Sequence, residues 1–486
     1  MITEISLERF QGFEHLEIAP LRRLNLIFGP NASGKSSITR ALLLIKQSLP
    51  SNLHFLNTPS VVTYNGPDIS LASFANVVFK HEEDSQMKIA LTFDRVDLMM
   101  DGPPRTRTAL GAIKNIKVEF TLSKSTSFEA ISITYYLLKR AAPVVFRFKR
   151  RGDSEFAAFT GELVDGADSL NFLLAEEAAK SSSNSGTLIG DNNSVKNSWK
   201  TYFKDAEFRL RGNFPTTYSR REDIEIRENA MEPMRQVIDA LLLIARLTSS
   251  RHFRNFKSIG PLRKIAERLE YNAGPAIDQD DKTPSIEELR KRNAKVSDWL
   301  LRLTDGRYRF EHLEFEVGRA SFLGSLKSEI VIDTATDTPV TFSDVGVGLS
   351  QIVPILQSLY EPSPSRGRAR PSAPEIVTIE QPELHLHPAM QADLAELFVD
   401  ALQERRSLQI VAETHSEALL LRIQKLLRQG KIKKEDVQIL FVDRAKTLDD
   451  GDPRGNTISV LEIDEDDDFS ISMPKSFTRL RLDELI

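Results

Sequence analysis

Residues 28–37, FGPNASGKSS, constrain this chain more than any other stretch, because Gly29, Gly34, Lys35 and Ser36 meet the pattern G-x-x-x-x-G-K-[ST]. The apolar run LRRLNLIFG leads into it as a strand would, and SSITRALLLIKQSL leaves it with apolar residues at helical spacing. Strand, glycine loop and helix in that order let successive backbone N–H groups and a helix N-terminus converge on an anion. Gly29, Pro30, Asn31, Ala32, Ser33, Gly34 and Ser37 are expected to line the cradle. Lys35 would reach the β- and γ-phosphates, and Ser36 would ligate Mg²⁺. The ligand this predicts is ATP with Mg²⁺; a glycine-punctuated turn at a helix start is the alternative.

A chain of 486 residues, 41% hydrophobic and 27% charged, can bury a full core spread over two or three lobes. A net charge of −5 argues against general affinity for nucleic acid or an anionic membrane. With no cysteine, disulfides and cysteine-ligated metals are excluded. The start MITEISLERF carries charges where a signal peptide needs an apolar run, and no stretch approaches the ~20 apolar residues of a membrane span. A cytoplasmic protein without membrane contact is expected.

From Asn76 to about Arg151 short runs (NVVFK, MKIALTF, IKVEFTL, AISITYYLL, VVFRFKR) read as hairpin strands of an antiparallel sheet. Residues 180–198 are polar and low in complexity, the composition of a surface loop. Helices are expected in MEPMRQVIDALLLIARL and in SIEELRKRNAKVSDWLLRL, the latter opened by a serine cap and glutamates. The last 170 residues or so alternate strands with helices, which implies a parallel sheet. The reading is an α/β P-loop NTPase: an ATPase core from residues 1–95 and 251–486, with 96–250 inserted as an arm of β-hairpins and helix.

Three further motifs stand where phosphate chemistry needs them. PEIVTIEQPELHLHP, residues 374–388, is an apolar strand ending in Glu380, placed to complete the Mg²⁺ shell with Ser36. VTFSDVGVGLSQIVPILQSL, residues 340–359, sets Ser343, Gly346, Gly348 and Ser350 ahead of or within an apolar helix as anion donors. One nucleotide rarely needs two such helix ends from one subunit, so this turn is expected to act on ATP held by a second copy. LQIVAETHSEALLLRI ends a strand at Thr414, His415 and Ser416, putting an imidazole at the sheet edge.

In this order, the motifs resemble the ABC-type ATPases. SDVGVGLSQIVPIL, IEQPELHLHP and ETHSEALLLRI are similar to AAA-family ATPases that include the overcoming-lysogenization-defect proteins and related anti-phage defence ATPases. SIGPLR, VSDWLLRL and the ending ISMPKSFTRLRLDELI are similar to a subgroup of these. The resemblance covers roughly residues 1–75 and 255–486. It implies an ABC-like fold with an antiparallel β subdomain, a head-to-tail homodimer around two ATP molecules and, for some members, higher assemblies. It also implies anti-phage defence or nucleic-acid maintenance, with a separate effector such as a nuclease or toxin. By the same resemblance Glu380 is the Mg²⁺-coordinating acid and His415 the switch histidine. The position after that acid is normally a water-activating glutamate, and here it is Gln381. Glutamine cannot take the proton, and loss of a general base costs ~10²–10⁴ in rate. Gln381 could orient water, with Glu383 as the nearby carboxylate, so slow hydrolysis is expected; a nucleotide-sensing scaffold with negligible hydrolysis is the competing reading.

His385, His387 and His415 invite a metal site, although HLHP fits a loop beside ATP better. EIDEDDDF, residues 462–469, invites two-metal nuclease chemistry. Nuclease relatives carry a further domain there, for which the roughly 50 residues after the last apolar strand begins are too few. FRFKRRG at 146–152, RTR at 105–107 and SRR at 219–221 would make a salt-sensitive DNA-binding face, or charges that keep exposed strands unpaired. Arg263 reads equally as a phosphate contact or a pin between lobes.

Overall fold

The computed structural model describes residues 1–49, 62–94, 112–125, 128–138, 140–151, 158–170, 172–173, 207–211, 214–218, 228–263, 270–272, 286–316, 325–342, 344–361, 374–444, 455–464 and 469. They form two compact units: Met1–Leu21, Asn31–Arg254 and Val442–Ile458 in the first, Arg22–Pro30, Asn255–Phe441 and Ser459–Ile486 in the second. In chain order the elements begin with β1 (Ile2–Phe10), β2 (Phe13–Pro20), β3 (Leu24–Phe28), α1 (Lys35–Ser48) and the short α2 (Phe74–Val77).

The first unit continues with β4 (Met87–Asp94), β5 (Ile113–Leu122), β6 (Ala130–Leu137), β7 (Val144–Arg151), β8 (Ala158–Asp165), β9 (Glu207–Arg211), β10 (Phe214–Tyr218) and helix α3 (Glu228–Arg254). Its strands make one nine-stranded sheet, β10-β9-β8-β7-β6-β5-β4-β1-β2, paired antiparallel throughout. Period-two patterning explains it: Ile116, Val118 and Phe120 of β5 and Ile131, Ile133 and Tyr135 of β6 turn to one buried face. The Tyr135 hydroxyl, fully buried, donates to the Leu241 carbonyl of α3 at 2.7 Å, so α3 covers that face. NVVFK departs from its expected strand: Asn76 and Val77 finish α2, and Phe79–His81 form a 3-10 turn. A short apolar run fits a buried helical turn as well as a strand, and Phe74, Val77 and Phe79 are all buried here.

The second unit contains β3 and then β11 (Phe256–Ile259), β12 (Glu270–Asn272), α4 (Ile286–Leu303), β13 (Tyr308–Glu316), β14 (Ser325–Asp333), β15 (Thr338–Thr341) and α5 (Val347–Tyr360). It goes on through β16 (Glu375–Glu380), α6 (Pro388–Glu404), β17 (Leu408–Glu413), α7 (Glu417–Arg428), β18 (Val437–Asp443) and β19 (Thr457–Leu461), the last two continuing into first-unit residues. Six strands form a sheet in the order β11-β16-β17-β3-β18-β19, parallel from β11 to β18. An antiparallel set, β12-β14-β13 with β15 on β14, stands beside it.

Strands β3 and β17 are buried along their whole length and β16 to its penultimate residue, as parallel strands covered on both faces must be. Their core is shared with Leu356 and Leu359 of α5, Leu397 and Phe398 of α6, and Leu420 and Ile423 of α7. Helix α4 is tied to α6 by polar side chains: Trp299 Nε1 donates to Asp400 at 3.0 Å, and the Tyr360 hydroxyl of α5 donates to the same carboxylate at 2.5 Å. Helix α7 starts where its sequence says it should, the Ser416 hydroxyl accepting from the Leu419 N–H at 3.1 Å. The chain is thus an α/β protein with mixed sheets, its glycine loop following β3 of the parallel sheet.

Candidate nucleotide site

The glycine loop leaves β3 and enters α1 with Ala32 at φ 57° and Gly34 at φ 87°. Gly34 caps α1 in the left-handed conformation, and a Cβ there would lie 2.6 Å from Asn456 Nδ2. The conformation favours glycine, and a side chain there would also displace the Asn456 carboxamide. The Asn456 N–H donates to the Gly12 carbonyl at 2.7 Å, and Arg444 donates to the Asn31 carbonyl, also at 2.7 Å. The first turn of α1 contains no acid, Lys35 is largely buried, and Ser36 is partly exposed. The Ser33 hydroxyl is fully buried without a hydrogen-bond partner in the protein. A buried orphan hydroxyl costs about 1–3 kcal/mol unless something pairs with it. An acid-free helix start, a lysine and an unsatisfied hydroxyl suit a bound phosphate.

In the second unit, three strands deliver their C-terminal ends to one edge in register. Glu380 of β16 pairs with Glu413 of β17, and Glu413 pairs with Ile27 of β3, which runs on into Gly29 and Pro30. The ladder extends past the strands: Gln381 N–H donates to the Glu413 carbonyl at 2.7 Å, and Thr414 N–H to the Ile27 carbonyl at 3.0 Å. Glu380, the Thr414–His415 turn and the start of the glycine loop therefore share one sheet edge. Gln381 has φ 45°, a conformation that costs a non-glycine residue roughly 1–2 kcal/mol.

Glu383 turns back onto this edge. One carboxylate oxygen accepts from the Thr414 hydroxyl and the other from the His415 N–H, both at 2.7 Å. The side chain weighed as a substitute base thus holds the turn that carries His415, itself exposed to solvent. The glycine–serine turn ahead of α5 is partly described: Ser343 lies outside the described residues, Gly346 is exposed at the helix start, and Gly348 packs on the acid turn. A Cβ at Gly348 would come 2.6 Å from the His385 carbonyl, which is why this position excludes a side chain. Ser350 is buried and donates to the Val347 carbonyl at 2.8 Å within α5.

Arg263 resolves into a pin inside the second unit. Nη2 donates to the carbonyls of Glu380 at 2.8 Å and Gln381 at 3.2 Å, and its backbone N–H donates to Gln351 Oε1 at 3.1 Å. Burial pulls the guanidinium down to about 10, while Glu383 and Glu380 oppose the shift. Glu413, buried between the acid strand and the phosphate strand, is a functional candidate that motif reading missed. The signal was available, because an acid ending an otherwise apolar strand was the feature that singled out Glu380.

His387 caps α6, its Nδ1 accepting from the Ala389 N–H at 3.4 Å, and His385 is exposed. Among the described residues no group of three or more histidines, aspartates or glutamates could hold a metal ion, and no helix is long and apolar enough to cross a membrane. RTR, SRR, residues 180–198 and residues 465–468 of the acidic stretch lie outside the described residues. Within FRFKRRG, Arg147 pairs with Glu162 at 3.4 Å and Arg150 donates to the Ser125 hydroxyl.

The profile of the family described as AAA ATPase domain matches residues 1–420. A 67-residue stretch is 40% identical to structural maintenance of chromosomes protein 5 of Arabidopsis thaliana, 14% of this chain and 6% of that protein's length. Among solved structures, the Smc head with an extended coiled coil bound to the C-terminal domain of ScpA, from Pyrococcus furiosus, aligns over 100% of this chain and 99% of its own at 11% identity, with a TM-score of 0.42. The head domain from Thermotoga maritima aligns over 95% of this chain and 99% of its own at 11% identity, with a TM-score of 0.36.

Proposed function

This chain belongs to the AAA ATPase domain family, and from that premise we propose that it is a slow, Mg²⁺-dependent ATPase whose ATP-bound form pairs two copies head to tail as a switch. The observation that carries the reading is the shared edge of β16, β17 and β3, where Glu380, the Thr414–His415 turn and the entrance of the glycine loop meet in register. In the proposed mechanism, the backbone N–H groups of residues 31–36 and the Lys35 ammonium hold the phosphates. By the motif resemblance, Ser36 and Glu380 would hold Mg²⁺. The ion, when bound, screens charge on the phosphate oxygens during transfer. Gln381 would orient the attacking water, whose proton passes to an oxygen of the γ-phosphate as the bond to the β-phosphate oxygen breaks, and His415, on a turn fixed by Glu383, faces the reacting end. The exposed Gly346 turn serves the nucleotide of the opposite copy.

Defence against phage or maintenance of nucleic acid, executed by a separate nuclease or toxin, is the biological setting the motif resemblance supports. The short likeness to a chromosome-maintenance protein is in keeping with it. The second reading, a nucleotide-sensing scaffold with negligible turnover, is favoured by Gln381 and by the engagement of both Glu383 oxygens with Thr414 and His415.

The test compares the wild type with Gln381→Glu for ATP turnover and for mass in solution with and without ATP. Wild-type turnover below ~10 s⁻¹, the general enzyme median, rising ~10²-fold in the glutamate variant, is expected, together with an ATP-dependent dimer. No turnover in either protein while the dimer still forms would establish the scaffold reading.

A further inference from the structure

Strand β11 ends at Ile259, and the chain turns through Gly260, Pro261 and Leu262 to Arg263. Leu262 is 84% exposed, whereas Arg263, one residue later, is 8% exposed. Arg263 enters the interior to meet main chain rather than an acid. Its Nη2 spans the successive carbonyls of Glu380 and Gln381, and Nη1 reaches the Gln351 carbonyl at 3.4 Å. The Gln351 carboxamide reciprocates on the Arg263 backbone: Oε1 accepts from its N–H and Nε2 donates to its carbonyl, both at 3.1 Å. Gln351 lies in α5, 5% exposed, just after the glycines of the proposed dimer turn.

The Gln381 peptide is consequently clamped at both ends. Its N–H is held by β17 through the Glu413 carbonyl, and its carbonyl by Arg263, while its φ of 45° lies outside the region a glutamine adopts by default. The guanidinium reaches three carbonyls with two nitrogens, Nη2 on Glu380 and Gln381 and Nη1 on Gln351, a spread that the single nitrogen of a lysine ammonium does not reproduce. We propose that Arg263 is a positioning residue for ATP hydrolysis: it holds the Glu380–Gln381 turn in its strained conformation, and through Gln351 it joins that turn to the start of α5. Movement of the glycine turn, when a second copy engages it, is then transmitted to the residue that orients water. The inference rests on the ATPase reading for its consequence, and on hydrogen bonds alone for the clamp.

Two measurements on the full chain test it. In Arg263→Lys and Gln351→Ala, amide hydrogen exchange without nucleotide is expected to rise about ten- to a hundredfold at residues 380–383 and 347–352, as loss of hydrogen bonds to a charged group implies. Exchange in α7 should stay at wild-type values. In Arg263→Lys, kcat for ATP falls about tenfold or more while ATP affinity holds within about twofold. In a Gln381→Ala background the same substitution lowers kcat no further. Weakened ATP binding with unchanged kcat would make Arg263 a phosphate contact and overturn the proposal. Exchange that rises uniformly through the chain, or not at all at 380–383, would also overturn it. A wild type without turnover defeats the ATPase reading, and exchange at 380–383 then still decides whether the clamp exists.

Discussion

The glycine loop after β3 and the turn after β16 both follow buried strands of one sheet, yet they are held in opposite ways. The loop contains a fully buried hydroxyl with no partner, Ser33, and a helix start without an acid or a side-chain cap. The turn is bound from several sides: Arg263 on the carbonyls of Glu380 and Gln381, β17 on the Gln381 N–H, and Glu383 on Thr414 and His415. The loop keeps one buried hydroxyl that an anion would complete; the turn is organised in advance. Such a division suits a phosphate-transfer site, where binding energy arises at the cradle and reactivity depends on groups already in place.

The largest effect should come from the cradle. Lys35→Ala is expected to weaken ATP binding by about 2–5 kcal/mol, the cost of removing one partner from a buried charge pair, as calorimetric titration would read it. Unchanged ATP affinity would break the contrast, because the loop would then not be where the phosphates bind. Next in size, Glu383→Ala removes two hydrogen bonds to a carboxylate and should lower stability by about 2 kcal/mol, equally with and without ATP, as calorimetry would read it. A loss seen only with ATP present would place Glu383 among the ligand contacts.

The smallest effect lies away from both regions, at Glu396 of α6, paired with Arg302 and Arg422. Burial pushes its carboxyl up, but the two guanidinium groups outweigh that and hold it below its ordinary 4.5. A lowered carboxylate contributes stability that is present above 4.5 and lost as pH falls through its folded value. Glu396→Gln should therefore cost below about 1 kcal/mol at neutral pH and flatten the decline in melting temperature below pH 4.5. A steeper decline in the variant would contradict that sign.

The loop and the turn were also unequally legible in the sequence. FGPNASGKSS announces itself because glycine spacing and a lysine dictate backbone geometry locally. IEQPELHLHP showed its acid, since Glu380 ends a run of apolar residues, but not what holds it. Arg263, Gln351 and Thr414 come from distant parts of the chain, and nothing in GPLR distinguishes a guanidinium aimed at a phosphate from one aimed at carbonyls. The fold divides the same way. The alternation in β5 and β6 and the unbroken apolar runs of β3, β16 and β17 were readable, because each follows from which faces are covered. NVVFK reads as a strand yet folds into helical turns, because a few apolar residues do not separate a buried helical turn from a strand.

The central claim is that the glycine loop and the Glu380 edge serve one nucleotide, and calorimetric titration with ATP in the presence and absence of Mg²⁺ tests it most directly. One ATP bound per chain is expected, with affinity raised by Mg²⁺ in the wild type and with that Mg²⁺ increment lost in Glu380→Gln. ATP binding whose Mg²⁺ dependence survives unchanged in Glu380→Gln, or a wild type that binds no ATP, would contradict the account.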